Sequence, residues 1–491
     1  MRRALATAIA LATSLAAARA RAMDTELTTD TTAQFYEVRS PSGQTVLARR
    51  RLTTTLGVGA WDLLPRPKEA GQELLPDLSV RIRVRYDADY GASPEEENAT
   101  SPGRWVPGFS RGPVDLMYGY VEGRRFFHGM LGFKLGRQTM SDALGWWSFD
   151  GGLVRVATPA FVTVEGYGGF EVRGGLPLSP SADRWSRGGV WRGDRTNVDR
   201  AMWPSFQPVD VAPAFGVALE SSGVQWLHSR LSYRRVYNTG PSNVSQFASA
   251  QTAPVAYDGV RVSQERLGYA LTANHPEVGG VQGGVQYDFY ANRFTNLYAG
   301  AEVYAGKRLT VGADYDYWRP SWDADSIFNF FGTEPNHTLS ARADVDLDKL
   351  HLGGSALLRA YETAANPAYG TTASATYAGG FALSGRWRSG VTTIGAQSNV
   401  QAGDGGRRGG LDVWGERTLF NRYVVSARVG GWDWKDQLRP ERSAFNFGYV
   451  LGLGYKFFEK SQAMIEWQHD ANRLTGQRFR VMFWLALAVV R

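Results

Sequence analysis

The 491-residue sequence contains no cysteine, and this absence excludes two kinds of site. Neither a disulfide framework nor a thiolate metal centre can form without Cys side chains. The six histidines show neither the HExxH spacing nor any other metal-ligand spacing. We therefore expect no metal site and no cofactor.

Long apolar runs are also scarce. Beyond residue 22, no run of 18 or more apolar residues is available for a membrane-spanning helix. The nearest approach is the ten-residue run 481–490, VMFWLALAVV, which is too short for such a helix. About ten residues is, however, the length that a tilted transmembrane strand needs.

The first 22 residues, MRRALATAIALATSLAAARARA, have the three parts of an export signal. Arg2 and Arg3 precede an apolar run, and Ala20-Arg21-Ala22 provides a small-x-small cleavage site. We predict a signal peptide at 1–22 and one barrel domain at 23–491. Four arginines leave with the signal, so the formal charge of +7 falls to about +3, which argues against a nucleic-acid partner.

The segment DLSVRIRVRYDADY (77–90) shows the pattern that dominates the rest of the chain. Apolar residues occupy every second position, and Arg81, Arg83 and Arg85 stand between them. A period of two indicates a β-strand with one apolar and one polar face. Because arginine is costly on a lipid-facing surface, we expect lipid on the apolar side and a water-filled lumen on the other.

Similar segments, most of them about nine to fourteen residues long, recur along the chain. They are 46–57, 78–88, 114–122, 129–138, 161–172, 224–237, 281–291, 309–318, 337–347, 351–361, 423–434, 445–457, 464–471 and 479–490. Short connections such as 122–126 and 305–308 alternate with long ones such as 91–112 and 238–261. We predict an all-β, transmembrane, antiparallel up-and-down β-barrel of about 18–22 strands in the outer membrane of a Gram-negative bacterium, with short periplasmic turns and long extracellular loops.

A secreted soluble β-protein is the alternative fold. A propeller or a solenoid would show a repeat of 20–50 residues, and none is visible. A sandwich would rarely use strands of this length so consistently. The barrel is therefore preferred.

The expected lumen is rich in arginine, since only seven of the 54 basic residues are lysine. Arginine presents a planar fork of donors that binds carboxylates and sugar hydroxyls. Two interpretations stay open, a charge-balanced polar lumen and a surface that contacts an anionic or sugar substrate. Strand parity assigns to the lumen Arg81, Arg83, Arg85, Arg230, Arg234, Arg342 and Arg428, together with Asp288, Asp314, Asp316, Asp344 and Asp346.

One loop, 173–210, is too long to be a simple connection. It combines Arg184, Trp185, Arg187, Trp191 and Arg192. Since exposed Trp is costly, we predict that this loop packs over or inside the pore mouth. A G-x-S-x-G match at 108–112 lacks the strand-turn-helix context of a nucleophile, and no Ser/His constellation supports an enzyme.

At 128–156, HGMLGFKLGRQTMSDALGWWSFDGGLVRV, a strand ends in GRQ, a Trp-rich turn follows, and FDG opens the return strand. This arrangement resembles the alginate-export outer-membrane barrels over roughly residues 128–172. The resemblance implies a monomeric barrel whose Arg-rich lumen passes an anionic polysaccharide, with Arg137, Gln138 and Asp150 as site candidates. Parity places Arg137 on the side of Phe133 and Leu135, at the rim or beside a bulge.

The sequence thus leads to an outer-membrane channel for passive export of an anionic polysaccharide. The alternative is a substrate-selective uptake porin for small anions or oligosaccharides. The expected partners are outer-membrane lipid, a polysaccharide or sugar substrate, periplasmic polysaccharide-export components and the barrel-assembly machinery.

Overall fold

The regular structure of the chain is a single antiparallel sheet. The computed structural model describes residues 24–64, 75–89, 114–172, 212–239, 259–322, 334–363, 372–436, 440–458 and 460–490. These residues contain a short 3₁₀ turn at Pro440–Arg442 and 22 strands. The strands are β1 (Asp24–Arg39), β2 (Thr45–Trp61), β3 (Asp77–Asp89), β4 (Val114–Phe126), β5 (Leu131–Asp142), β6 (Gly145–Ala157), β7 (Val162–Glu171), β8 (Pro213–Ser221), β9 (Leu227–Asn238), β10 (Arg261–His275), β11 (Gly279–Asp288), β12 (Arg293–Ala305), β13 (Leu309–Trp318), β14 (Asn336–Leu347), β15 (Leu350–Thr363), β16 (Ser374–Ser389), β17 (Thr392–Gly403), β18 (Gly406–Leu419), β19 (Tyr423–Asp436), β20 (Ala444–Phe458), β21 (Ser461–Asn472) and β22 (Gly476–Val490).

The sheet closes on itself. Each strand pairs with its neighbours along the chain, and β1 pairs with β22 from Glu26↔Val490 to Arg39↔Gln477. A closed sheet has no unpaired edge, so all its backbone groups can be satisfied without water. The predicted up-and-down antiparallel barrel is confirmed, with a strand number at the upper end of the predicted range.

The fourteen named period-two segments all fall on strands, but eight strands were not among them. These are β1, β6, β8, β10, β12, β16, β17 and β18. In β8 the inner positions hold Ala214, Gly216 and Ala218, so the contrast between faces is weak in the sequence. β16 similarly contains an Ala-Gly-Gly run. Where the inward-facing residues are Ala or Gly, the sequence does not alternate between polar and apolar positions, and the strand is not recognised.

The two faces of the wall have opposite chemistry. In β8, Val217 is 53% exposed on the outer face, whereas Ala218 on the inner face is 1% exposed. Large apolar side chains are exposed on the outer face around the wall, among them Ile82, Leu135, Leu339 and Phe447. An apolar outer surface around a polar interior is the arrangement of an outer-membrane barrel. Among the described residues, no helix is long and apolar enough to cross a membrane.

The connections at the two rims differ in length. The rim that holds Asp24 and Val490 carries short turns such as 127–130, 158–161 and 306–308, with 62–76 as its one longer connection between described strands. The opposite rim carries 90–113, 172–212 and 239–260. Short turns mark the periplasmic side of such barrels and long connections the extracellular side.

The outer face of β3 offers a test of orientation. Replacing Val80, Ile82 and Val84 by Ser should sharply reduce assembly, because each apolar side chain in lipid contributes about 2 kcal/mol. The measurement is the fraction of membrane-bound protein that shifts in gel mobility only after boiling. Serine at the inner-face positions Gln397, Asn399 and Gln401 of β17 is the matched control. Equal assembly of both triple variants would contradict the assigned orientation.

Candidate functional site

The β5–β6 hairpin leaves the barrel wall at its extracellular end. β4 pairs with β5 only from Phe126↔Leu131 to Gly119↔Arg137. β5 and β6 remain paired to each other up to Asp142↔Gly145. Residues 138–148, here termed the hairpin tip, therefore extend beyond the β4–β5 ladder.

The hairpin tip crosses the inside of the barrel. Leu144, at its turn, is 3% exposed and packs at Gly268 on the inner face of β10, where an added Cβ would stand 2.7 Å from Leu144 Cδ2. Arg234 of β9 donates from Nη2 to the Leu144 carbonyl, 3.3 Å away, and its guanidinium lies 4.8 Å from the centre of the Trp147 ring. Strands β9 and β10 lie three and four strands beyond β6 around the wall. The tip reaches them only through the lumen and therefore narrows it.

An aromatic cluster supports the tip. Trp147 and Phe149 stack with ring centroids 4.6 Å apart, and Tyr167 of β7 packs against both. These rings rest on the small inner face of β8, where a Cβ added at Gly216 would stand 2.2 Å from Tyr167. Burying each large ring contributes about 2–3 kcal/mol. The small inner residues of β8, which made this strand hard to recognise in the sequence, thus leave room for the rings that support the tip.

A network of paired charges lies on the wall beside the tip. Arg230 of β9 forms ion pairs with Glu165 and, at 2.7 Å, with Glu220. Arg155 of β6 reaches the same two carboxylates at 3.0 and 2.7 Å. Asp142 at the base of the turn is 3.9 Å from Arg230 Nε. Five ionisable side chains, one from each of the strands β5 to β9, share one small region of the wall.

This network borders a cavity of about 450 Å³. Its lining includes Lys134, Arg155, Glu165, Glu220 and Arg230. Lys134 and the lining residue His228 lie nearer the periplasmic ends of β5 and β9 than Arg137 and Arg234 do. The cavity therefore lies on the periplasmic side of the tip and is large enough for a small organic solute.

The three arginines of β3 lie on the inner face, as predicted. Arg83 forms an ion pair with Asp30 of β1 and donates to Thr55 Oγ1 at 2.8 Å. The Arg81 guanidinium lies 5.0 Å from the Trp61 ring centre, and Arg85 is 1% exposed. Asp30 was not identified from the sequence, because it comes close to Arg83 only when β1, β2 and β3 pair.

The other predicted lumen residues also face inward, and several form pairs. Arg342 contacts Glu302 at 2.9 Å and Asp314 at 2.6 Å. Arg428 contacts Asp412 at 3.2 Å. Asp316 lies on the same face of β13 as Asp314. Contact of these residues with a transported solute stays a prediction.

Arg137 and Asp150 were predicted to line the pore, and this placement was wrong. They face each other across β5 and β6 on the outer face, in line with the lipid-exposed Leu135 and Val154. Gln138, the next residue, faces inward, is 1% exposed and donates to the Gly151 carbonyl at 3.2 Å. The expected rim or bulge position of Arg137 corresponds to the point where the hairpin leaves the wall.

Some predicted residues lie outside the described part of the chain. They are the residues Arg184, Trp185, Arg187, Trp191 and Arg192 of the loop 173–210, so the packing of this loop at the pore mouth stays a prediction. Within the described strands and turns, no group of three or more His, Asp or Glu side chains is placed to hold a metal ion.

Comparison with known proteins gives similarity of fold alone. No family model matches the sequence. No curated protein matches it either. Solved structures similar to the chain include OccAB4 of Acinetobacter baumannii, with 6% identity, a TM-score of 0.44, and coverage of 96% of this chain and 99% of that one. OccK9 (OpdG) of Pseudomonas aeruginosa has 9% identity, a TM-score of 0.42, and coverage of 96% and 98%.

The outer membrane protein opdK of Pseudomonas aeruginosa is similar at the same level, with 8% identity, a TM-score of 0.42, and coverage of 95% of this chain and 99% of that one. Likenesses this distant establish neither a family nor a substrate. The resemblance of 128–172 to alginate-export barrels therefore stays a resemblance, and a polysaccharide-export identity is not supported.

Proposed function

We propose that this protein is a selective outer-membrane channel that admits small anionic solutes. The observation that carries the proposal is the hairpin tip packed across the lumen and bordered by arginines. A solute must pass between this tip and the opposite wall, so its size and its charge both determine passage at this constriction. This proposal corresponds to the uptake alternative of the sequence analysis.

The packing of the tip favours passage of a small solute over passage of a polymer. It is anchored by buried rings and by the contact of Leu144 with β10, so moving it aside would expose Trp147 and Phe149. Loss of that burial would cost several kcal/mol, about 2–3 for each ring. A passive polymer channel would need that displacement to be maintained along the whole chain of sugars.

The charges support anion selection. Arg81, Arg83 and Arg85 follow one another on the inner face of β3. Alternate residues of a strand stand about 6.5–7 Å apart, within a Debye length of about 8 Å, so their fields overlap. Asp30 forms an ion pair with Arg83, which fixes the orientation of the guanidinium group and reduces the net positive charge at this position.

The proposal is tested with purified protein in planar bilayers under a salt gradient. The expected reversal potential corresponds to a preference for chloride over potassium. Vesicles containing the protein should also swell quickly in small carboxylates and slowly in an oligomeric uronate. Absence of ion preference, or equal entry of monomer and oligomer, would remove the proposed function.

A triple variant tests the contribution of β3. Replacing Arg81, Arg83 and Arg85 by Ser should leave an assembled barrel with a clearly reduced anion preference, since three of the inward guanidinium groups are gone. Adding Asp30→Asn should restore part of that preference, because Asp30 loses its partner in the triple variant. An unchanged reversal potential in the triple variant would show that these arginines do not line the conducting path.

A further inference from the structure

The two strands of the hairpin bend inward at neighbouring glycines. Gly136 has φ +123°, and a Cβ added there would stand 2.3 Å from the Gly119 carbonyl oxygen. A Cβ added at Gly151, directly opposite in the β5–β6 register, would stand 2.1 Å from the Gly168 oxygen. Only glycine permits these close approaches on the inner face. The bend therefore occurs where the GRQ and FDG segments of the sequence meet.

On the outer face of the same bend, Arg137 forms a double hydrogen bond with Asp150. Its Nε and Nη2 donate to Asp150 Oδ1 and Oδ2, both at 2.7 Å. Its Nη1 donates to the carbonyl of Leu116 on β4, 3.0 Å away. Leu116 lies beyond the last β4–β5 pair at Gly119↔Arg137. One guanidinium thus joins three strands at the point where the backbone ladder stops.

This place is unfavourable for charge. The neighbouring outer side chains are apolar, with Leu135 54% and Phe170 51% exposed toward lipid. An arginine on the lipid face costs from about 0–1 kcal/mol near the interface to about 2–4 at the midplane. Replacing a desolvated ion pair by apolar residues is often neutral or stabilising. Stability of the barrel does not by itself account for this pair.

We propose that Arg137 and Asp150 are positioning residues that hold the hairpin tip folded into the lumen. The double hydrogen bond fixes β5 against β6 where both strands turn inward, and the bond to Leu116 closes the gap that the departing strand leaves in β4. The effect on solute selection rests on the proposed channel function, whereas the placement of the tip does not.

The test uses a reporter of tip position. Because the chain has no cysteine, the variant Ala143→Cys/Gly268→Cys contains only the introduced pair. A Cβ at position 268 would stand 3.1 Å from that of Ala143, near the usual Cβ–Cβ spacing of about 3.8 Å in disulfides. Disulfide yield, read by mass spectrometry of the linked peptides, then reports the fraction of molecules whose tip lies against β10.

Into this background we would introduce Arg137→Leu with Asp150→Leu. Assembly should equal that of the parent, because leucine suits a lipid-facing site. Disulfide yield should fall several-fold, and single-channel conductance should rise and become less uniform. This separation of assembly from tip position distinguishes a positioning role from a merely stabilising one.

Two further variants complete the design. Arg235→Leu/Glu265→Leu removes another outward-facing Arg–carboxylate pair, at 3.8 Å between β9 and β10, and should change neither yield nor conductance. Arg137→Lys keeps the charge but cannot form the double hydrogen bond, so its disulfide yield should lie between those of the parent and the leucine variant. If the leucine variant fails to assemble, Arg137→Lys still tests the proposal. A disulfide yield in Arg137→Lys equal to that of the parent would then overturn the positioning role.

The outcomes separate the two proposals. Parent-like disulfide yield and conductance in the leucine variant would overturn the positioning role. Failure of the parent pair to link would place the tip outside the lumen and would also overturn it. If the pair links and responds to Arg137 and Asp150 while the wild type shows no anion preference, the positioning role stands and the proposed channel selectivity falls.

Discussion

Replacing residues 139–148 by a two-residue Asn-Gly turn is expected to raise single-channel conductance several-fold. The replacement joins Gln138 to Phe149, which already face each other across β5 and β6, so the rest of the β5–β6 ladder stays intact. It removes Leu144 and Trp147, the side chains that span to β9 and β10. Because the narrowest cross-section sets the resistance of a pore, its removal should dominate the conductance.

The control for this deletion is a turn at the same rim that does not enter the lumen. Replacing residues 40–44, between β1 and β2, by Asn-Gly shortens an exposed turn and should leave conductance unchanged. Both variants should still need boiling to lose their compact gel mobility. Equal conductance in the tip deletion and the wild type would show that the tip does not limit flow.

The second large effect is expected from Arg230→Gln. Arg230 contacts Glu165, Glu220 and Asp142 beside the tip. Without it, Glu165 and Glu220 keep their ion pairs with Arg155, whereas Asp142 loses its contact with Arg230. Local charge changes from near balance to net negative, and an anion-preferring reversal potential should fall to zero or change sign. Breaking a desolvated pair costs about 3–5 kcal/mol, so some loss of thermal stability should accompany it.

Companion variants separate charge from packing. Arg230→Lys should retain the sign of the reversal potential, because it keeps the charge while losing the planar fork. Arg230→Gln with Glu220→Gln removes one charge of each sign and should move the potential back toward the wild-type value. A wild-type potential in Arg230→Gln itself would exclude this network from the conducting path.

The orientation of the strands was predictable from the sequence because it depends only on a local period of two. Arg81, Arg83 and Arg85 share a face for that reason, and so do Asp314 and Asp316. This local period can be recognised without knowing which strands are neighbours.

The constriction was not predictable, since it depends on contacts between distant strands. The pattern ended the predicted strand at Gln138, whereas β5 continues to Asp142. Nothing local shows that Leu144 meets Gly268. A usable signal does exist in the run of small inner residues in β8, because a lumen wall without large side chains leaves room for something to pack against it.

The ion pairs were not predictable for the same reason, because they too join residues on different strands. Arg83 with Asp30, and Arg230 with Glu165, join residues 53 and 65 positions apart. The strand register alone determines these partners. The arginines are therefore identifiable from the sequence, but their ion-pair partners are not. The partners decide how strongly each arginine acts on a passing ion.

The most direct test of the account is the position of the hairpin tip in the assembled protein. In the Ala143→Cys/Gly268→Cys variant, oxidised in the membrane, we expect most molecules to carry a disulfide between these positions. The matched pair Ala143→Cys/Leu267→Cys places the second thiol on the outer face of β10 and should remain reduced. Free thiols at 143 and 268, both open to a membrane-impermeant maleimide added from outside, would contradict the folding of the tip into the lumen.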